Sequence, residues 1–206
     1  LDFSTANADL RKNVAREAAA LLYFGVEKEY RQAKLRAAKT LGVHFLPSNL
    51  EVAMELDRIA EENEGAARLE RLVKMRKEAL SLMKMLEKFS SVLVGSVWRG
   101  TIYRESDIDI IAYHNEPHEI LKLLENKFKI LECGWTAVTK RGKPKKSFHI
   151  ILELPSGEKA EITVRGVEEL GVRETCEIYG DAISGLSIQE LEKVLSENPT
   201  KRFVPF

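Results

Sequence analysis

Cysteine is almost missing from these 206 residues: only Cys133 and Cys176 occur, far apart in the chain. Two such thiols supply neither a disulfide framework nor a zinc-ligand spacing, and they fit a reducing compartment such as the cytoplasm. No apolar run approaches the ~18–20 residues that span a bilayer. The polar start, carrying Asp2 and Asp9, does not look like a signal peptide. An excess of either charge is also absent, with 32 basic residues against 32 acidic ones. Neutrality argues against a broad electrostatic footprint on long nucleic acid, though not against a small one. The four histidines, at 44, 114, 118 and 149, are too scattered to suggest a local ligand set.

What remains is enough for a real core, since 44% of the residues are hydrophobic. The first 90 residues carry helical spacing. Asp9 or Asn7 is the expected cap of a first helix ending near Gly25, and a cationic second helix runs from about Val26 to Leu41. Ser48 and Glu51 stand in capping-box register ahead of a third helix. Asn63-Glu64-Gly65 marks a break, and a fourth helix carries Leu69, Leu72, Val73, Arg76, Leu80, Met83 and Leu86 on one stripe. From Ser91 the period changes to two. The expected order is strand, short helix, strand, helix, strand, then a hairpin of Ser147–Leu154 with Lys159–Arg165. A last helix has Ser187 and Glu190 in capping-box register. The fold class expected is α/β (α+β): a helical N-terminal module at 1–89, then a mixed sheet with flanking helices at 90–206.

The most informative stretch is residues 95–110, GSVWRGTIYRESDIDI. Ser91-Val92-Leu93-Val94 reads as a buried strand that stops at Gly95. Asp107-Ile108-Asp109-Ile110 alternates strictly, so the two aspartates project from one strand face with Cα atoms roughly 6.5–7 Å apart. Carboxylates at that spacing repel unless a cation lies between them, and hard oxygen ligands favour Mg²⁺ or Mn²⁺. Gly95 lets a ligand or a second backbone approach closely. Ser96 is the expected cap of a short helix beginning near Val97, its free N–H groups facing an anion. Arg99 stands near enough to reach a phosphate, or to hold the loop through a carboxylate.

Gly-Ser, ten residues, then Asp-x-Asp resembles the core of the DNA polymerase β-type nucleotidyltransferase superfamily, in particular the minimal nucleotidyltransferases. Arg99-Gly100-Thr101 within the spacer is also similar to archaeal CCA-adding enzymes. The resemblance implies a nucleotidyltransferase that moves an NMP from an NTP, expected to be ATP, to a hydroxyl on protein or RNA. It implies two Mg²⁺ or Mn²⁺ ions on Asp107, Asp109 and a third acid on a later strand. Glu161, the one acid within Lys159–Arg165, is the choice for that ligand, with Glu153 in reserve. Gly95, Ser96 and Arg99 would bind the nucleotide. The alternative is an NTP-binding regulatory or antitoxin-like module with little or no transfer.

Other features are weighed beside this site. Lys140 to Lys146 places five cations in seven residues, either to grip phosphates or to keep strand edges apart. Trp98 and Tyr103 could stack on a base, but packing is the commoner fate of aromatics beside a buried strand. His149 lies in a strand and reads as structural rather than as a base.

Overall fold

The computed structural model describes residues 3–140 and 143–205, with side-chain surroundings for 8–137 and 146–205. Three helices come first: α1 (Phe3–Tyr23), α2 (Tyr30–Thr40) and α3 (Asn49–Met85). α1 begins well before the expected caps, so Asn7 and Asp9 lie inside it; Asp9 is exposed there. The capping box ahead of α3 forms as read, with the Ser48 hydroxyl accepting from the Glu51 N–H and the Glu51 carboxylate accepting from the Ser48 N–H. Gly65 interrupts α3 with φ +52°, a left-handed value that glycine adopts without a Cβ clash.

Below the break, Val52, Leu56, Ile59 and Ala60 pack with α1 and α2 around Val14, Ala18, Leu22 and Ala37. Above it, Leu72, Met75, Ala79, Leu82 and Met83 enter a second core with the sheet. The helical module and the sheet unit, divided near residue 89 on the sequence reading, thus share α3.

The sheet unit runs β1 (Val92–Val94), α4 (Gly95–Arg99), β2 (Ile108–Tyr113), α5 (Pro117–Glu125), β3 (Lys129–Lys140), β4 (Lys143–Glu153), β5 (Lys159–Arg165) and α6 (Ile188–Glu197). The five strands lie in the order β1-β2-β5-β4-β3. β2 and β5 are parallel and the other neighbours antiparallel, giving a mixed sheet. One face carries Leu93, Ile108, Ile110, Phe148, Ile150, Ala160, Ile162 and Val164, all buried beneath α3, α5 and α6. The opposite face carries Val94, Asp109, His149, Glu161 and Thr163, each only partly buried. Alternation along the strands therefore sorts apolar side chains to the helices and polar ones to the open face.

The β3–β4 hairpin is longer than expected. Its strands continue until Lys140 pairs with Lys143, which turns most of the basic run into strand. Arg141 and Gly142 lie outside the described residues, as do the side chains of 138–145, and the phosphate-gripping reading of that run falls there with them. No helix among the described residues is long and apolar enough to cross a membrane.

Candidate active site

Register builds the site. Asp109 is paired with Val94 of β1 on one side and with Glu161 of β5 on the other. Side chains of paired residues share a face, so Asp109 and Glu161 project together, with Asp107 two residues upstream on the same side. The strand pairing brings Asp109 and Glu161 together, and Asp107, just ahead of β2, is near enough that both it and Glu161 act on the Asp109 carboxyl.

Gly95 follows Val94 and turns the chain with φ +71°. An ideal Cβ placed on it would stand 1.9 Å from Asp109 Oδ2. The absent side chain is the space the carboxylate occupies. The turn also moves the start of α4: the helix begins at Gly95 with Val94 as its N-cap, and no side chain caps it. Ser96 is therefore inside the first turn and does not cap, because the chain has already entered the helix at the glycine. Its carbonyl accepts from Thr101 N–H at 3.0 Å, and no described bond engages its hydroxyl.

The electrostatics follow from crowding like charges. Burial, then Glu161, then Asp107, push the Asp109 carboxyl up to about 7. Asp107 is also raised, by burial first, with Glu161 and Glu158 raising and Lys159 and Arg71 opposing. Among the described residues no hydrogen bond or ion pair reaches the Asp109 carboxylate. A crowded carboxylate with no partner among the described residues, flanked by two more, is a hard-oxygen donor set suited to a divalent cation. These residues fit Mg²⁺ or Mn²⁺ chemically. They are not drawn together as a closed cage: no group of three His, Cys, Asp or Glu among the described residues is arranged to hold an ion. Glu161 instead accepts a very short hydrogen bond from His149 Nδ1, whose Nε2 meets Ser147 Oγ at 2.7 Å.

Residues 67–163 match a family described as a nucleotidyltransferase domain. The match supports a nucleotidyltransferase domain of the DNA polymerase β type, and the matched segment includes Gly95, Ser96, Asp107, Asp109 and Glu161. No curated protein matches the chain, and nothing extends the likeness to the CCA-adding enzymes.

Arg99 is placed differently from the three acids. It is 4% exposed, and its guanidinium donates to Asp181 at 2.7 and 3.1 Å and to the Phe203 carbonyl at 2.9 Å. It also lies 4.4 Å from the ring centroids of both Trp98 and Tyr179. Of the two tasks open to it, the structure shows the carboxylate. Trp98 is buried against Phe203, which takes it out of reach of a base.

The nucleotidyltransferase domain also depends on residues that its motif does not contain. Arg76 of α3 is fully buried and donates to the carbonyls of Val97, Trp98, Pro199 and Lys201 at 2.7–3.1 Å. Arg68 donates to Ile102 O, and Arg71 to Tyr103 O and Ser106 O. The segment between Gly-Ser and Asp-x-Asp is thus held from below by three arginines of one helix. Val97 and Trp98 carry two of the last carbonyls of a very short helix, groups that need donors from outside it. Arg76 supplies them with no carboxylate partner among the described residues, and burial lowers its pKa to about 10. One signal was present in the sequence: Arg76 stands on an otherwise apolar stripe.

Beside Asp107 a cavity of about 380 Å³ opens, lined by Gly25 and Lys28 of the α1–α2 connection and by Arg71, Tyr103, Glu105 and Lys159. The helical module therefore forms one wall of the site. Asp109 meets Gly95 instead, so Asp107 faces this cavity and Asp109 faces the turn at Gly95.

Proposed function

We propose that the protein is a metal-dependent nucleotidyltransferase that moves an NMP from an NTP, ATP by preference, to a hydroxyl of a protein or RNA acceptor. Asp107, Asp109 and Glu161 would hold two Mg²⁺ or Mn²⁺ ions. When bound, such ions neutralise the triphosphate and lower the pKa of a hydroxyl. The chain's own residues do the rest. Backbone N–H groups at Gly95 and Ser96, with the Ser96 hydroxyl, hold the β- and γ-phosphates, and Arg99 keeps α4 in place through Asp181. The acceptor enters from the cavity at Asp107, and its hydroxyl attacks the α-phosphate in line. Glu161 takes the hydroxyl proton, and pyrophosphate leaves on the Gly95 side. The observation that carries this reading is the fit of Asp109 into the space left by Gly95, beside Asp107 and Glu161.

The test is transfer of α-³²P-labelled NTPs, each in turn with Mg²⁺ or Mn²⁺, to a lysate of the source cells. The D107N/D109N protein serves as control. Label that needs the intact acids and is released by RNase or by protease supports the reading and names the acceptor. Equal labelling by the control overturns it.

A further inference from the structure

The open face holds a polar chain that nucleotide transfer does not by itself require: Ser147, His149 and Glu161. Ser147 and His149 are two apart on β4, so they share a face, and His149 is paired with Thr163 while Ile151 is paired with Glu161. The imidazole bridges diagonally to the Glu161 carboxylate. Both groups are only partly exposed, at 25% for the His149 side chain and 33% for Glu161. Thr163 Oγ1 lies 3.5 Å from Nδ1, closing that side of the ring.

Hydrogen-bonding capacity decides how the chain is wired. An ionised carboxylate only accepts, so the Nδ1 atom facing Glu161 carries the hydrogen. A neutral ring then accepts at Nε2, and Ser147 Oγ–H is the donor 2.7 Å away. Every group in the chain is satisfied in a single arrangement, which holds Oε1 of Glu161 still and leaves its second oxygen uncommitted. A ligating carboxylate that is itself hydrogen-bonded loses less freedom when it takes up a cation.

We propose that His149, fixed by Ser147, is a positioning residue that sets the Glu161 carboxylate for the divalent cation; this rests on the assignment of Glu161 as the third acid. His149 does not touch the substrate. Its effect passes through Glu161, so it has a signature that a merely structural histidine lacks. Removing His149 after Glu161 has been neutralised changes nothing further in cation binding.

The experiment is Mn²⁺ binding to the full chain without nucleotide, read as loss of the free-ion EPR signal, with thermal unfolding as a check on folding. H149A is expected to weaken Mn²⁺ binding by about 10–100-fold. H149N, whose amide N–H stands near the position of Nδ1, is expected to recover part of that loss, and S147A to weaken binding less than H149A. H149N and S147A remain informative if H149A unfolds. E161Q should weaken binding at least as much as H149A, and the H149A/E161Q double variant no more than E161Q alone. If E161Q weakens binding while folded H149A, H149N and S147A all bind as the parent does, the positioning role is overturned and Glu161 stays a ligand. If E161Q also binds as the parent does, Glu161 is not a ligand and both assignments fall.

Discussion

Gly95 and Asp109 occupy one another's space: the carboxylate of Asp109 sits where a Cβ on Gly95 would be, 1.9 Å from Oδ2. The glycine is required twice, by this approach and by its φ of +71°. The two residues are far apart in sequence and joined only because Val94 pairs with Asp109 across β1 and β2.

G95A should therefore displace Asp109 and lower transfer by about 100-fold or more, in the range expected when a reacting geometry shifts by an ångström. It should also cost stability, on the order of 1–3 kcal/mol for the left-handed backbone alone. Truncating the carboxylate relieves the clash but not the backbone strain. A double-mutant cycle of G95A with D109A, read by urea denaturation, should show coupling. Strict additivity would mean that the two side-chain positions do not compete.

Asp109 makes stability depend on pH in a stated direction. Its folded pKa of about 7 lies above its ordinary value, so the cation-free folded state binds this proton more tightly than the unfolded chain. The contribution favours folding at low pH, is lost as pH rises from about 4 to about 7, and stays lost above that. At pH 8 in EDTA, D109N should be more stable than the parent by about 2 kcal/mol. That is below the roughly 1.4 kcal/mol per unit a three-unit shift would allow, because Asp109 keeps some solvent contact. At pH 4 the gap should close. A D109N protein no more stable than the parent at pH 8 would refute the crowding argument.

The buried arginine of α3 invites a separate test. R76M keeps the length and apolar stem but leaves carbonyls of Val97, Trp98, Pro199 and Lys201 without their donor. The expected loss is about 3–5 kcal/mol by denaturant unfolding, since each stranded buried polar group costs about 1–3 kcal/mol and relaxation recovers part. R76K, with one ammonium in place of a fork, should recover less than half. A loss below about 1 kcal/mol would mean that water replaces the guanidinium.

Arg99 separates two roles by kinetics. If it acts by holding α4 to Asp181 and Phe203, then D181N should reproduce the effect of R99M in kind, lowering kcat and stability together. A direct phosphate contact would raise the NTP KM in R99M alone. We expect the first pattern, because the Arg99 donors face Asp181 and the Phe203 carbonyl.

Much of the site was legible in the chain for local reasons. Period-two alternation over Asp107–Ile110 needs only strand geometry to place both aspartates on one side. Ser48 with Glu51 and Ser187 with Glu190 announce helix starts within four residues, and both capping boxes form. The break near Gly65 appeared for the same reason. Ser96 was misplaced by two helical positions because Gly95 both turns the chain and begins the helix. The start of α1 was missed because nothing local distinguishes a cap from a polar residue within a helix.

Other relationships had no local trace. A strand histidine reads alike whether it faces a carboxylate or a threonine, and only the β4–β5 register sets His149 against Glu161. Arginines at 68 and 71 looked like ordinary helix charge until the packing of α3 set them under the carbonyls of 102–106. By itself the sequence determined the Gly-Ser turn, the paired aspartates and the alternation that presents them, because those rest on backbone geometry over a few residues. Tertiary structure alone decided the partners of Arg99, Arg76 and Glu161, because hydrogen bonds and charges are satisfied by whatever the fold brings near, at any distance along the chain.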